Sequence, residues 1–391
     1  MRSVMRRLEG SEALGLLYLA NFIISFHLFL VVYINSSFLN SFIEEQFIGT
    51  VWIIGSIIGI GALIFIVQAL RLFGNYRILV AISTIEIFIF LGLATIKSPA
   101  ILVALFIAYI AFHPLILYNL DIFLESYTKK EGTTGSVRGT FLTISNTALI
   151  IAPLLAGIIL TDGDYWKIYL ISMTLLIPFM FIISKFRSFK DPVYHNLKII
   201  ENMRTIWANA DLHGIFMSYF LLRFFFAWMV IYMPLYLYGH IGFSWTEIGF
   251  MFAIMLLPFA LLEYPAGRIA DKWLGEKELL SAGFVIMAFF TVLVPFITTA
   301  SFVTWTVILF MMRVGASLVE IMSESYFFKH VDGGDNNIIG LFRIVRPVSY
   351  IIGPIVASVT LLFFDLGYIF LILGIIVLYG LRYSLMLRDT K

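Results

Sequence analysis

The stretch Gly267-Arg-Ile-Ala-Asp271-Lys-Trp-Leu-Gly275-Glu-Lys277 lies between two apolar runs, 245–266 and 279–298. Its two glycines permit a tight turn and a close approach of the flanking helices. Asp271 is a single carboxylate among Arg268, Lys272 and Lys277. It can pair locally or accept hydrogen bonds from the start of a neighbouring helix. A short basic hairpin between two long apolar segments is the pattern of a loop at a membrane surface.

Composition extends that reading to the whole chain. Of 391 residues, 61% are hydrophobic and only 13% charged, with a mean hydropathy of +0.98. Soluble domains carry roughly 25% charged residues, so the chain belongs in a bilayer. A formal net charge of +2 gives no basis for nucleic-acid binding. With no cysteine, disulfides, thiolate metal sites and cysteine nucleophiles are excluded. The basic start, Met1 to Arg7, precedes a long apolar run without a small-residue cleavage site, so the first membrane helix is expected to be retained.

About 20 apolar residues cross the hydrocarbon, and on that criterion twelve spans are predicted. They cover 13–34, 47–69, 77–96, 99–123, 138–160, 166–184, 212–238, 245–266, 278–298, 301–327, 338–363 and 366–387. Of the 26 lysines and arginines, twenty fall on one side of this topology and only Lys97 and Lys167 on the other. The remaining four, Arg223, Arg313, Arg343 and Arg346, lie inside spans. Because positive residues stay cytoplasmic, both termini and the Asp271 loop are expected in the cytoplasm. The expected domains are a six-helix bundle at 1–184, a cytoplasmic linker at 185–211 and a second bundle at 212–391. Asn35-Ser36-Ser37, in the first outer loop, matches a glycosylation acceptor and is read as coincidence.

The halves repeat. Asp121-Ile-Phe-Leu-Glu125-Ser-Tyr127 matches Glu320-Ile-Met-Ser-Glu324-Ser-Tyr326, and Gly74 to Leu79 answers Gly275 to Leu280, with Arg71 matching Arg268. In each half the two acids sit four residues apart, on one helix face. The fifth span carries Gly139-x8-Ala148-x3-Ala152-Pro153-x2-Ala156-Gly157, and the eleventh Gly340-x8-Ser349-x3-Gly353-Pro354-x2-Ala357-Ser358. Small residues let backbones approach and proline bends a helix, so Pro153, Gly157, Gly353 and Pro354 are read as packing and bending positions.

The pattern Gly-x-x-Ala-Asp-Lys/Arg-x-x-Gly-x-Lys at 267–277 resembles the signature loop of the major facilitator superfamily of secondary transporters. The resemblance implies an all-α fold of twelve transmembrane helices in two pseudo-symmetric bundles, rocking about a central site. The first-half copy departs from the family pattern, with Leu70-Arg71-Leu72-Phe73-Gly74 and no Asp. The fifth-span motif resembles a loosened form of one found in proton-driven efflux members.

Ionisable groups inside the membrane are costly, about 2.5–3.5 kcal/mol on insertion scales, and face a cavity or a partner. Arg223 and Arg313 lie mid-span, as do His27 and His113. The resemblance implies that the first, fourth, seventh and tenth helices line the central cavity. These four residues and Glu320 are therefore the candidates for the substrate and proton site, with Glu320 the expected partner of Arg313. Glu86 also lies mid-span, on a helix the family places at the periphery, and receives no role. A cytoplasmic gate is expected from Arg71, Asp121, Glu125, Arg268, Asp271, Glu324, Arg343 and Arg346. An alternative makes Glu320 or Asp121 the proton carrier. The Trp228, Tyr232 and Tyr236 stripe is read as packing.

The sequence is thus read as a monomeric, multi-pass transporter of the cell membrane. It would move a small solute by alternating access, with proton-coupled efflux of amphipathic compounds preferred. Uptake or exchange of an organic anion is the alternative, followed by lipid translocation. A membrane-embedded enzyme or a sensor is the competing class. No His-Glu-x-x-His helix, Gly-x-Ser-x-Gly elbow or phosphate loop occurs, and no metal site or cofactor is expected.

Overall fold

A computed structural model describes residues 2–127, 134–161, 163–194, 199–330 and 336–388. Six long helices make up the first half: α1 (Arg2–Val32), α2 (Glu45–Phe73), α3 (Asn75–Thr95), α4 (Pro99–Tyr127), α5 (Thr134–Ile159) and α6 (Tyr165–Ser184). Six follow in the second: α7 (Ala210–Ile231), α8 (Trp245–Leu261), α9 (Glu276–Leu293), α10 (Phe302–His330), α11 (Asn336–Leu361) and α12 (Leu366–Leu378). Among the described residues eleven segments are long and apolar enough to cross a membrane, and Val345–Leu361 in α11 is a shorter apolar helix. The twelve predicted spans thus each correspond to a helix.

The breaks in these helices trace to proline. Proline removes one amide donor and its ring presses on the carbonyl four residues back. Pro234 thereby acts on Val230, and α7 breaks at Tyr232 before continuing through Met233–Leu235 and a wide turn at Tyr236–Ile241. Pro265 acts on Leu261 and ends α8 there, short of the predicted 266. The chain continues as Glu263–Ile269 and a wide turn at Ala270–Leu274. Between α6 and α7, where only a polar linker was expected, a ten-residue helix forms at Ile199–Ala208.

By contacts the chain forms two units, Met1–Ile43 with Ile54–Asn196, and Glu44–Ile53 with Leu197–Lys391. In the first, α1 packs on α4, α5 and α6, and α3 on α4 and α6. In the second, α7 packs on α10, α11 and α12, and α9 on α10 and α12. For these helices the neighbour pattern is the same after a shift of six. The repeat extends to backbone detail, since the turn glycines take matching left-handed φ values, Gly74 at φ 80, ψ 158 and Gly275 at φ 90, ψ 163. A side chain would be strained at either position.

Packing within each unit relies on small residues, as expected where lipid offers no hydrophobic gain for helix association. Ala148, Ala152 and Ala156 of α5 are buried, and Asn21 of α1 donates to the Phe141 carbonyl at 2.7 Å and to Ser145 Oγ at 2.9 Å. In α11 the Gly353 carbonyl accepts the Trp228 indole N–H at 2.8 Å, and a Cβ on Gly353 would lie 3.1 Å from that ring. Trp228, Tyr232 and Tyr236 are buried, in keeping with packing. Asn35 sits in a short helix, Asn35–Asn40, fully buried and accepting from the Tyr169 hydroxyl at 2.8 Å. Its amide is closed to a glycosylating enzyme in this fold.

Candidate functional site

The candidate residues gather into two clusters, one in each unit. In the second unit, α7 carries Tyr219 and Arg223 one turn apart. Arg223 Nη2 donates to Glu320 Oε1 of α10 at 2.7 Å and also to the Tyr219 hydroxyl. Glu324 Oε1 lies 4.0 Å away. The guanidinium stands over the Tyr219 ring at 4.5 Å and the Phe226 ring at 5.5 Å. Glu320 was expected beside Arg313; it faces Arg223 instead. Seven residues from Glu320 along α10, Arg313 points into a group of aromatic rings.

Arg313 is 3% exposed. Its guanidinium lies 5.0 Å from the Phe226 ring and 5.9 Å from both Phe225 and Phe259. Its Nε and Nη2 have no hydrogen-bond partner among the described residues. Phe226 therefore borders both arginines, one neutralised by an acid and one not. An aromatic face attracts a desolvated cation by about 2 kcal/mol. It supplies no acceptor for the guanidinium donors, each of which costs about 1–3 kcal/mol unpaired.

In the first unit the two histidines meet Glu86. Glu86 Oε1 lies 2.8 Å from His113 Nδ1 and 3.2 Å from His27 Nε2. His27 Nδ1 is 2.8 Å from both the Ser172 carbonyl and the Ser172 hydroxyl of α6. All three ionisable side chains are buried, Glu86 and His27 completely. His27 packs on Phe90 at 4.4 Å and His113 on Tyr109 at 5.6 Å between ring centroids. Both histidines turn onto Glu86, where a buried carboxylate needs donors. Sequence reasoning gave Glu86 no role because its partners are 59 and 27 residues away on other helices. No local spacing signals that meeting; Tyr219, four residues before Arg223 on the same helix, also went unremarked although that spacing makes the two neighbours.

Arg71 donates from Nε and Nη2 to the Tyr194 carbonyl at 3.1 and 2.8 Å, tying α2 to the chain after α6. Asp121 is half-buried and Glu125 exposed, and Arg268 and Arg346 are exposed. Glu324 belongs with Arg223. The side chains of Asp271 and Arg343 lie outside the described residues. One buried acid escaped the sequence reading: Glu276, 1% exposed at the start of α9, accepts from Lys329 and from Ser325 Oγ at 3.2 Å. A cleft of about 670 Å³ in the second unit, lined in part by Glu44, Glu45, Tyr236, His240 and Asp365, contains none of the candidates.

The comparisons with known proteins agree with this architecture. The family model of the Major Facilitator Superfamily matches residues 215–390. No curated protein matches the chain by sequence. The crystal structure of nucleoside transporter NupG is similar at a TM-score of 0.73 and 11% identity, covering 96% of this chain and 98% of that one. A bacterial homolog of the human lysosomal transporter Spinster, in an inward-facing and unoccupied conformation, has a TM-score of 0.66 and 12% identity, covering 96% of this chain and 93% of that one. At such identities the likeness speaks for the fold and leaves the substrate open. The second half is thus similar by sequence to the Major Facilitator Superfamily, and the chain as a whole shares the fold of two transporters of known structure.

Proposed function

We propose that this transporter carries a small organic anion with an apolar or aromatic body by alternating access, coupled to a proton. The observation that carries the reading is Arg313: a cation 3% exposed, with two of its nitrogen atoms unpartnered among the described residues, beside three phenylalanine rings. Arginine stays charged at any physiological pH, so the site cannot relieve its charge by losing a proton. Glu320 and Glu324 both lie on Arg223, which leaves the Arg313 guanidinium donors, unpartnered among the described residues, for a ligand to meet. A carboxylate would accept from the free guanidinium donors, while the rings would hold an apolar body. The alternative of an organic anion thereby moves ahead of the amphipathic compounds preferred on sequence.

Export is the direction proposed, on the small-residue and proline pattern of α5. The proposed setting is a monomer in the cell membrane with both termini cytoplasmic, from the distribution of lysine and arginine. The aromatic surroundings of Arg313 favour one second reading, export of uncharged amphipathic molecules or lipids. Proteoliposomes with an imposed pH gradient separate the two, using a panel of aromatic carboxylates and a neutral lipophilic dye. An aromatic carboxylate should move, Arg313→Ala should lower its flux at least tenfold, and Arg313→Lys should keep part of it. Dye movement alone, unchanged in Arg313→Ala, would end the anion reading and leave amphipathic export.

A further inference from the structure

The cluster in the first unit can be read as a count of protons. Three contacts must each contain a hydrogen: His27 Nδ1 to the Ser172 carbonyl, His27 Nε2 to Glu86, and His113 Nδ1 to Glu86. A carbonyl oxygen only accepts, so Nδ1 of His27 carries hydrogen. The Ser172 hydroxyl reaches the His27 carbonyl at 2.8 Å, to which it donates. Neutral His27 would then turn the bare lone pair of Nε2 toward Glu86. His113 supplies its own contact as the neutral Nδ1–H tautomer. One hydrogen is still missing, and the cluster needs one proton more than an ionised glutamate with two neutral histidines would hold.

We propose that this cluster is a proton-binding site, with the proton on His27, Glu86 ionised and His113 neutral. Between the histidines the placement follows from partners: both nitrogens of His27 have acceptors, whereas His113 Nε2 is buried with no partner among the described residues. Between His27 and Glu86 it follows from basicity, an imidazole being the stronger base than a carboxylate. A charged His113 would leave an orphan N–H there, a rarer and costlier condition than an unused acceptor. The same argument weighs against a divalent cation, although the donor atoms lie within 4.8 Å of one another. A cation on His113 Nδ1 would force the hydrogen onto the partnerless Nε2, where bound histidines normally find an acceptor.

The titratable groups facing the site are His27 from α1, His113 and Tyr109 from α4, and Tyr169 from α6, whose hydroxyl is committed to Asn35. Among the described residues only the two histidines act on the charge of Glu86. When the proton leaves, an Nε2 lone pair faces a carboxylate oxygen with nothing between them, and the interior of the unit holds an unbalanced negative charge. Proton binding therefore ties α1 to α3, α4 and α6, and release loosens that tie. The link to transport rests on the proton coupling proposed above; the proton count does not.

Nitrogen NMR of the full-length protein, labelled with ¹⁵N at the histidine rings and held in lipid nanodiscs, tests the count. A His240→Gln background removes the histidine paired with Glu45. At pH 8 one ring should remain protonated on both nitrogens and a second should show hydrogen on Nδ1 alone. His27→Gln should delete the first signal and His113→Gln the second. The isosteric Glu86→Gln should convert the first ring to a neutral form, so the assignment survives if a histidine variant fails to fold. Two neutral rings at pH 7, or both rings shifting together on addition of zinc chloride, would overturn the proposal. A doubly protonated ring in a protein whose flux ignores the pH gradient would sink only the coupling.

Discussion

The two units share one helix arrangement and put opposite chemistry inside it. In the first, Glu86 Oε1 joins two histidines in a buried group, with Glu86 Oε2 and His113 Nε2 left without a partner among the described residues. In the second, Arg223 is met by Glu320, while Arg313 Nε and Nη2 have no partner among the described residues. Twelve residues after the turn glycine, α3 carries Glu86 where α9 carries Met287, itself buried. On the proton assignment above, the orphan atoms of the first are acceptors and those of the second are donors of a cation, the costlier kind. The difference lies in side chains and not in fold.

Glu86→Met gives the first unit what the second has at that position and should produce the largest effect on stability. It leaves His27 Nε2 and His113 Nδ1 without their acceptor, and removal of one partner from a buried charged pair costs about 3–5 kcal/mol. A melting temperature within a degree of wild type would mean that the cluster does not hold the unit together. Glu320→Gln should cost less, about 1–2 kcal/mol, because the side chains of Arg223 and Glu320 retain 16% and 22% exposure. A double-mutant cycle with Arg223→Gln should return a coupling of about 1 kcal/mol. A coupling near zero would make that pair incidental and weaken the charge balance assigned to the second unit.

The fold was legible because its signals are local. Apolar runs near 20 residues, lysine and arginine on one side and the lag between Asp121 and Glu320 required no tertiary knowledge. The breaks at Tyr232 and Leu262 were also written locally, in Pro234 and Pro265. The candidate site was legible only as a roster of costly residues. Depth selects His27, His113, Arg223 and Arg313, but pairing depends on rotation about each helix axis, which spacing within one helix does not determine. Glu320 thus pairs with Arg223 and not with Arg313, seven residues before it on its own helix, and Glu86 takes both histidines. Asn35 shows the same limit, since its acceptor motif is intact in sequence and its side chain is buried by Tyr169.

The smallest predicted effect compares the two turns that open α3 and α9. Both pass through a glycine of left-handed φ, Gly74 and Gly275, yet their helix starts are satisfied differently. At α3, Asp191 from beyond α6 accepts from the Asn75 amide at 2.7 Å and from the Tyr194 hydroxyl at 2.5 Å, placing a carboxylate at the positive end of the helix. At α9 the first residue, Glu276, is itself the buried acid, held by Lys329 and Ser325. Asp191→Asn keeps an acceptor and loses the charge, so it should cost about 0.3–1 kcal/mol at low salt. Burial, and then the bond to Asp191, raises the Tyr194 phenol above its ordinary value. The unfolded chain would therefore ionise Tyr194 first, near pH 10. Stability from this contact is complete below that pH and is lost as pH rises through it. Tyr194→Phe should flatten that alkaline loss while leaving the Asn75 bond in place. Alkaline melting curves that coincide for wild type and Tyr194→Phe would remove Tyr194 from the tie. A loss in Asp191→Asn that does not shrink with added salt would show that the carboxylate acts through its hydrogen bonds and not through the charge at the helix start.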